Sequence, residues 1–318
     1  MDLRYLLFLQ ELRNNGGAFL AAPMMLISNL VLVGAVVLGT AIYWGFSRML
    51  GYEIFANCTA GLFVNHLIKL TACIYRPWIR YPQIVPYPQA LDSATGYSFP
   101  SAHTQVAVSF YGTCAVKARK DHKGLCALCV IMVLLTGFSR NYLGVHTLQD
   151  VVVSLITGSV LIWAIGILFK KIEQNPSLLT PVVVSGIVIV ILGLLYFHFK
   201  SYPMEYIDGE LIVDPIKMRA DGYMTCGATI GFLVGALVET RFVRFETEGT
   251  HLRRILRVVL GIPFPALLML VIKPAVYDWI GSESGHLVVY SVLAFYIIAV
   301  YPAVFTAIEK RLQSKSVS

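Results

Sequence analysis

Nine apolar runs, each near the length needed to cross a bilayer, leave this sequence few folds to choose from. In hydrocarbon a helix keeps its backbone hydrogen bonds internal, and about 20 residues cover the roughly 30 Å apolar core. The runs fall at about 22–44, 52–75, 102–118, 123–139, 147–169, 180–198, 222–239, 255–275 and 286–307. They predict an all-α, polytopic transmembrane helical bundle of about nine helices. Of the 318 residues, 57% are apolar and 14% are charged, a balance that soluble domains of this length do not show. Localisation in a membrane, with membrane lipids as neighbours, is therefore expected.

The net charge of +7 raises the question of nucleic acid. The basic residues lie in short loops between the runs rather than in one patch, so no nucleic-acid partner is expected. Their distribution sets an orientation instead. Counting alternate loops puts fifteen Lys and Arg on one side and ten on the other. The richer side is expected to be cytoplasmic, with the N-terminus out and the C-terminus in. The six cysteines lie mostly inside apolar runs, where a free thiol packs as a small hydrophobe. Cys126 and Cys129 have no second pair or nearby His to complete a zinc site. Residues 1–21 lack the unbroken apolar stretch of a cleavable signal and read as an amphipathic segment carrying Leu3, Leu6, Leu7 and Phe8.

Three short polar runs interrupt the first half. Lys69 sits near the end of a predicted membrane helix, where an unpaired ammonium is costly. Arg76 follows seven residues later, on nearly the same face if the helix persists, and Pro77 marks the exit. Pro100-Ser101-Ala102-His103 opens the third apolar run, so the amides of Ser101, Ala102 and His103 are expected at a helix N-terminus, an anion-binding position. His103 titrates near neutrality and can donate a proton there. Ser139-Arg140 then brings a planar fork suited to phosphate oxygens. His146 and Asp150 follow with a spacing of four, which lets the carboxylate accept the Nδ1 proton and leave Nε2 as a nucleophile. The same pair also reads as a metal ligand with its orienting partner, although no further acidic or His cluster accompanies it. The proline- and aromatic-rich loop at about 76–101, with Trp78, Tyr81, Tyr87, Tyr97 and Phe99, reads either as a lid for a lipid headgroup or as an aromatic belt.

Taken in order, Lys69-x6-Arg76-Pro77, Pro100-Ser101-Ala102-His103 and Ser139-Arg140-x5-His146-x3-Asp150 resemble the three signature motifs of the type 2 phosphatidic acid phosphatase superfamily. The resemblance covers about residues 50–165. It implies a metal-independent phosphatase without cofactor. His146 would attack phosphorus and form a phosphohistidine, His103 would protonate the leaving oxygen, and Asp150 would orient His146. Lys69, Arg76, Ser101, Ala102 and Arg140 would hold the phosphate. Ala102 stands where this family usually has Gly, which matters if that position needs positive φ.

The function expected is hydrolysis of a lipid phosphate or diphosphate on the extracytoplasmic face. Alternatives are phosphotransfer to a lipid or sugar acceptor, sugar-phosphate hydrolysis of the glucose-6-phosphatase kind, and a non-enzymatic phosphate-binding scaffold. The organisation expected is an N-terminal segment 1–21, a membrane phosphatase core 22–172 and a C-terminal four-helix region 173–318. Gly227, Gly231 and Gly235 form a small-residue stripe, read as close packing within the chain or as a homodimer seam.

Overall fold

The protein is described here by a computed structural model covering residues 2–317. Among the described residues the regular structure is helical apart from a two-residue-per-strand antiparallel hairpin, β1 (Tyr206–Ile207) and β2 (Glu210–Leu211). A first helix, α1 (Asp2–Leu12), meets α2 (Phe19–Phe46) at a kink where Gly16 takes φ of 122°. There follow α3 (Arg48–Ala72), α4 (residues 102–118), α5 (Lys123–Tyr142) and α6 (Leu148–Gln174). The second half holds α7 (Leu179–Phe199), α8 (Pro215–Val243), α9 (His251–Ile280) and α10 (Ser282–Leu312).

Among the described residues, eight helices are long and apolar enough to cross a membrane. Each of the nine predicted runs lies in a helix, the second running past the end of its helix at Ala72, and the third, α4, consists of six-, five- and six-residue pieces with a π-turn at Val108–Gly112. It is shorter than the rest and buries Gln105, Ser109 and Thr113, so it stands as a central strut. The other helices expose Leu, Val, Ile and Phe outward, as a bundle solvated by lipid does.

Helices α3 and α4 run antiparallel with a readable register. Lys117 Nζ reaches Glu53 Oε1 at 2.5 Å at one end. In the middle, Gly61 faces Ser109 and Gln105, so closely that an added Cβ would lie 2.6 Å from Ser109 Oγ. At the far end, Lys69 Nζ reaches Pro100 O at 2.7 Å. Lys69 and the start of α4 are therefore held at one end of the bundle by the packing of the whole helix pair.

One expectation is corrected, and the glycine stripe takes the first of its two readings. Helix α3 does not persist to Arg76: it stops at Ala72, and Cys73 turns left-handed with φ of 47°. Pro77 disfavours helical backbone at the residue before it, and Arg76 is extended (φ −63°, ψ 155°). The glycine stripe is occupied within the chain. A Cβ on Gly227 or Gly231 would lie 2.2 Å from the carbonyl oxygens of Leu287 and Ser291 in α10, and Gly235 meets Ile298. Ser291 Oγ also donates to Gly227 O at 3.0 Å. These contacts are close helix packing within the chain.

The N-terminal helix docks rather than floats. Leu6 and Leu9 are buried, Gln10 exchanges hydrogen bonds with Gln83 and Val85, and Arg13 donates to Tyr142 O at 2.9 Å.

Candidate active site

Helix α5 ends at Tyr142, and Gly144, with φ of 74°, turns the chain out of it. Glycine takes this left-handed position without strain and is the common residue just past a helix end. His146 follows, its backbone held by Asn141 Nδ2 donating to its carbonyl at 2.9 Å. Thr147 then caps α6. Its Oγ1 accepts from Asp150 N at 3.3 Å, and Asp150 Oδ2 accepts from Thr147 N at 2.9 Å. This reciprocal cap aims the Asp150 carboxylate back past the start of α6 at His146 Nδ1, 3.1 Å away. The pair is therefore not two residues on one helical face, because His146 lies ahead of the helix.

On the other ring nitrogen, Arg76 Nη1 lies 2.9 Å from His146 Nε2. A guanidinium only donates, so Nε2 is the accepting, unprotonated nitrogen and Nδ1 carries the proton toward Asp150. Burial first, and then the Arg76 charge, hold the His146 imidazole well below its ordinary value, against the opposing influence of Asp150. The ring is neutral and its lone pair points at a cation.

Arg76 also donates to the carbonyls of Thr95, Gly96 and Val145, each at 3.0 Å. Lys69 Nζ donates to Tyr97 O at 3.1 Å, Ser98 O at 3.3 Å and Pro100 O at 2.7 Å. An ammonium has three hydrogens, so Lys69 has all its donors on loop backbone. The loop at 76–101 is thereby fastened as a wall. Tyr97 is fully buried, and Trp78 and Tyr87 pack beside Leu9, Ala21 and Leu143.

At the N-terminus of α4, Ser101 caps the helix with Oγ accepting from Thr104 N. The amide of Ser101 is already bound to Asp150 O at 3.1 Å. The expectation of three free amides there is corrected accordingly: Ser101's is taken by the α6 carbonyl it packs against. Ala102 opens the helix in ordinary backbone, outside the positive-φ residues, so a side chain at this position brings no strain. His103 is 6% exposed, and its Nε2 is buried without a hydrogen-bond partner. Arg140, His146, Arg76 and Lys69 all lie within electrostatic reach of it.

Arg140 is fully buried; its Nη1 donates to Ser28 Oγ at 2.6 Å and its Nε has no partner. All eight predicted site residues thus belong to one end of the bundle. Ser98, Ser28 and Ser93 join them without having been singled out from the sequence. Ser98 Oγ donates to Asp150 Oδ2 in a short bond and lies 3.4 Å from His146 Nδ1. Ser28 and Ser93 both receive Arg140 Nη1. Thr147 had a signal in its capping spacing to Asp150; the serines had none, because distant segments bring them in. Among the described residues no group of three or more His, Cys, Asp or Glu is placed to hold a metal.

Residues 51–174 match the PAP2 superfamily, and residues 223–315 match the family described as PAP2 superfamily phosphatase, transmembrane extension. The undecaprenyl-diphosphatase BcrC of Bacillus subtilis is 32% identical over 154 residues, spanning 48% of this chain and 74% of that protein. No solved structure matches.

Proposed function

This chain belongs to the PAP2 superfamily of membrane phosphatases, and on that premise we propose that it hydrolyses a lipid phosphate or diphosphate at the extracytoplasmic face through a phosphohistidine on His146. The observation that carries this reading is the pairing of the two His146 nitrogens. Asp150 holds the Nδ1 proton while the unprotonated Nε2 turns its lone pair to Arg76 Nη1, 2.9 Å away. A phosphoryl oxygen that takes the Arg76 Nη1 hydrogen bond from Nε2 frees the lone pair and brings phosphorus within its reach.

In the first step Nε2 attacks phosphorus, the N–P bond forms, and the bond to the leaving oxygen breaks. His103, protonated once the phosphate anion offsets the cations around it, supplies the proton that oxygen takes up. In the second step water attacks phosphorus, the N–P bond breaks, and His103 recovers a proton from the water. Asp150 stabilises the charge that His146 acquires between the steps. Arg76 and Arg140 and the amides of Ala102 and His103 offset charge on the equatorial oxygens, which is most of what phosphoryl transfer asks of a protein. Lys69 contributes its charge and the fixed loop backbone, and Ser101 contributes the helix cap. No metal is needed in this scheme.

The extracytoplasmic placement rests on the loop charges, and a lipid diphosphate is suggested by the name of the Bacillus relative. The catalytic unit in this reading is 22–172, preceded by the segment 1–21 and followed by the region 173–318. The test is phosphate release by purified protein in detergent with EDTA, across lipid phosphates, lipid diphosphates and glucose 6-phosphate, beside His146→Ala. Release from a lipid substrate with EDTA present, loss of at least about 10³-fold in the variant and an acid-labile, base-stable phosphoryl adduct on the wild type are expected. A wild-type requirement for divalent metal, or an active His146→Ala, sinks the mechanism.

A further inference from the structure

A cleft of about 170 Å³ with an almost wholly apolar lining opens between the two halves of the chain, within the apolar thickness of the bundle. Its first three walls descend from the candidate site. On α2, Leu32 and Val36 line the cleft, one and two turns past Ser28, which touches Arg140. On α4, Val106 lines it, under one turn past His103, and on α3 Leu62 lines it, two turns before Lys69. Each of these helices leads from the phosphate-holding end into the bundle, so the cleft lies directly beneath that end, on the order of 5–10 Å away along the helix axes.

The opposing walls come from the C-terminal region. On α8, Met224 and Ala228 face the cleft just after Asp221, whose charge reaches Lys69. On α10, Leu293 and Ala294 close it. The space is apolar and lies beneath the end of the bundle where a headgroup would sit.

We propose that this cleft receives the hydrocarbon tail of the lipid substrate next to its phosphate, and that α8 and α10 thereby set tail preference. This rests on the phosphatase reading above. The C-terminal region then acts as the half of the substrate site that reads the tail, while the N-terminal half reads the phosphate. Bulk lipid tails are as apolar as the cleft, so discrimination comes from fit.

The test compares purified wild type, Ala294→Phe and Ala228→Phe on farnesyl diphosphate and on tail-less p-nitrophenyl phosphate. Filling the cleft is expected to lower kcat/KM for farnesyl diphosphate on the order of tenfold while changing that for p-nitrophenyl phosphate by less than about twofold. An equal effect on both substrates, or none on either, overturns the tail site and leaves the phosphatase reading standing. Hydrolysis of neither substrate by the wild type overturns both. Independently of any variant, wild type in vesicles of phosphatidylcholine is photolysed with a diazirine-tailed prenyl diphosphate. Adducts on Met224 or Leu293 that excess farnesyl diphosphate competes away are expected. Adducts confined elsewhere, or equal labelling of these residues by a diazirine-tailed phosphatidylcholine, overturn the proposal.

Discussion

His146 is buried and neutral because its charged form would meet Arg76 in a dry pocket. Its folded-state proton affinity is therefore below that of the unfolded chain, where His titrates near 6.5. As pH falls through about 6.5 the unfolded state takes up the proton first, so stability from this group is lost on acidification and is fully present above that value. The nucleophile, for the same reason, stays available below the ordinary His range. The acid limb of kcat/KM is expected below the ordinary His value of about 6.5, with the thermal midpoint falling as the pH drops below that value; an acid limb at or above about 6.5 would show an unshielded ring. Ser98→Ala tests the other nitrogen. Removing the hydroxyl that donates to Asp150 frees the carboxylate to rotate, and a loss in kcat of about tenfold with little change in KM is expected. Unaltered kcat would remove Ser98 from the site. The His146 and Asp150 pairing was legible in spacing four, although its cause was not: the capping box, rather than a shared helical face, brings them together. Ser98 was illegible, since it meets Asp150 from 52 residues away.

Lys69 shows what an apolar run with one cation in it can and cannot reveal. A buried ammonium in a membrane helix signals a partner or a function, and Lys69 lies at the end of the bundle where α4 begins. The partners turned out to be three carbonyls of the loop that follows, at Tyr97, Ser98 and Pro100, because a helix that ends at Ala72 sends the chain back across its own last turn. Nothing in residue spacing predicts where a loop of this length folds. Lys69→Met should therefore release the loop: faster amide exchange over residues 95–100 is expected together with a loss of activity of at least about tenfold. Lys69→Arg should not restore either, since a planar fork cannot converge on three carbonyls around one point. If activity falls while exchange in that segment is unchanged, Lys69 acts on the phosphate directly and the staple is incidental.

The C-terminal helices carry no motif, and from sequence they were four apolar runs of unstated purpose. Their attachment is made by pairs too far apart in the chain to be read from it. Tyr43 Oη and Trp44 Nε1 donate to the Ile298 and Ile297 carbonyls at 2.9 and 2.8 Å. Glu239, fully buried on α8, accepts from Arg48 Nη2 at 2.7 Å, from Phe245 N at 3.1 Å and from Tyr52 Oη. Residues 191 apart thus fix the far end of the bundle, while the glycine contacts between α8 and α10 fix its middle. Such a carboxylate stabilises only while its partners remain, because removing it strands a cation and a phenol in apolar surroundings. Arg48 keeps about a third of its side chain exposed and can turn toward water, which limits the penalty. Glu239→Ala is expected to cost roughly 2–4 kcal/mol of stability, read as a lowered thermal midpoint in detergent. The phosphate site lies at the opposite end of α3, so the protein that remains folded should keep its kcat on a tail-less substrate. An unchanged midpoint would mean that the Glu239 cluster adds nothing to the attachment of the two halves. A midpoint lowered together with kcat would mean that the far end of the bundle governs the geometry around His146.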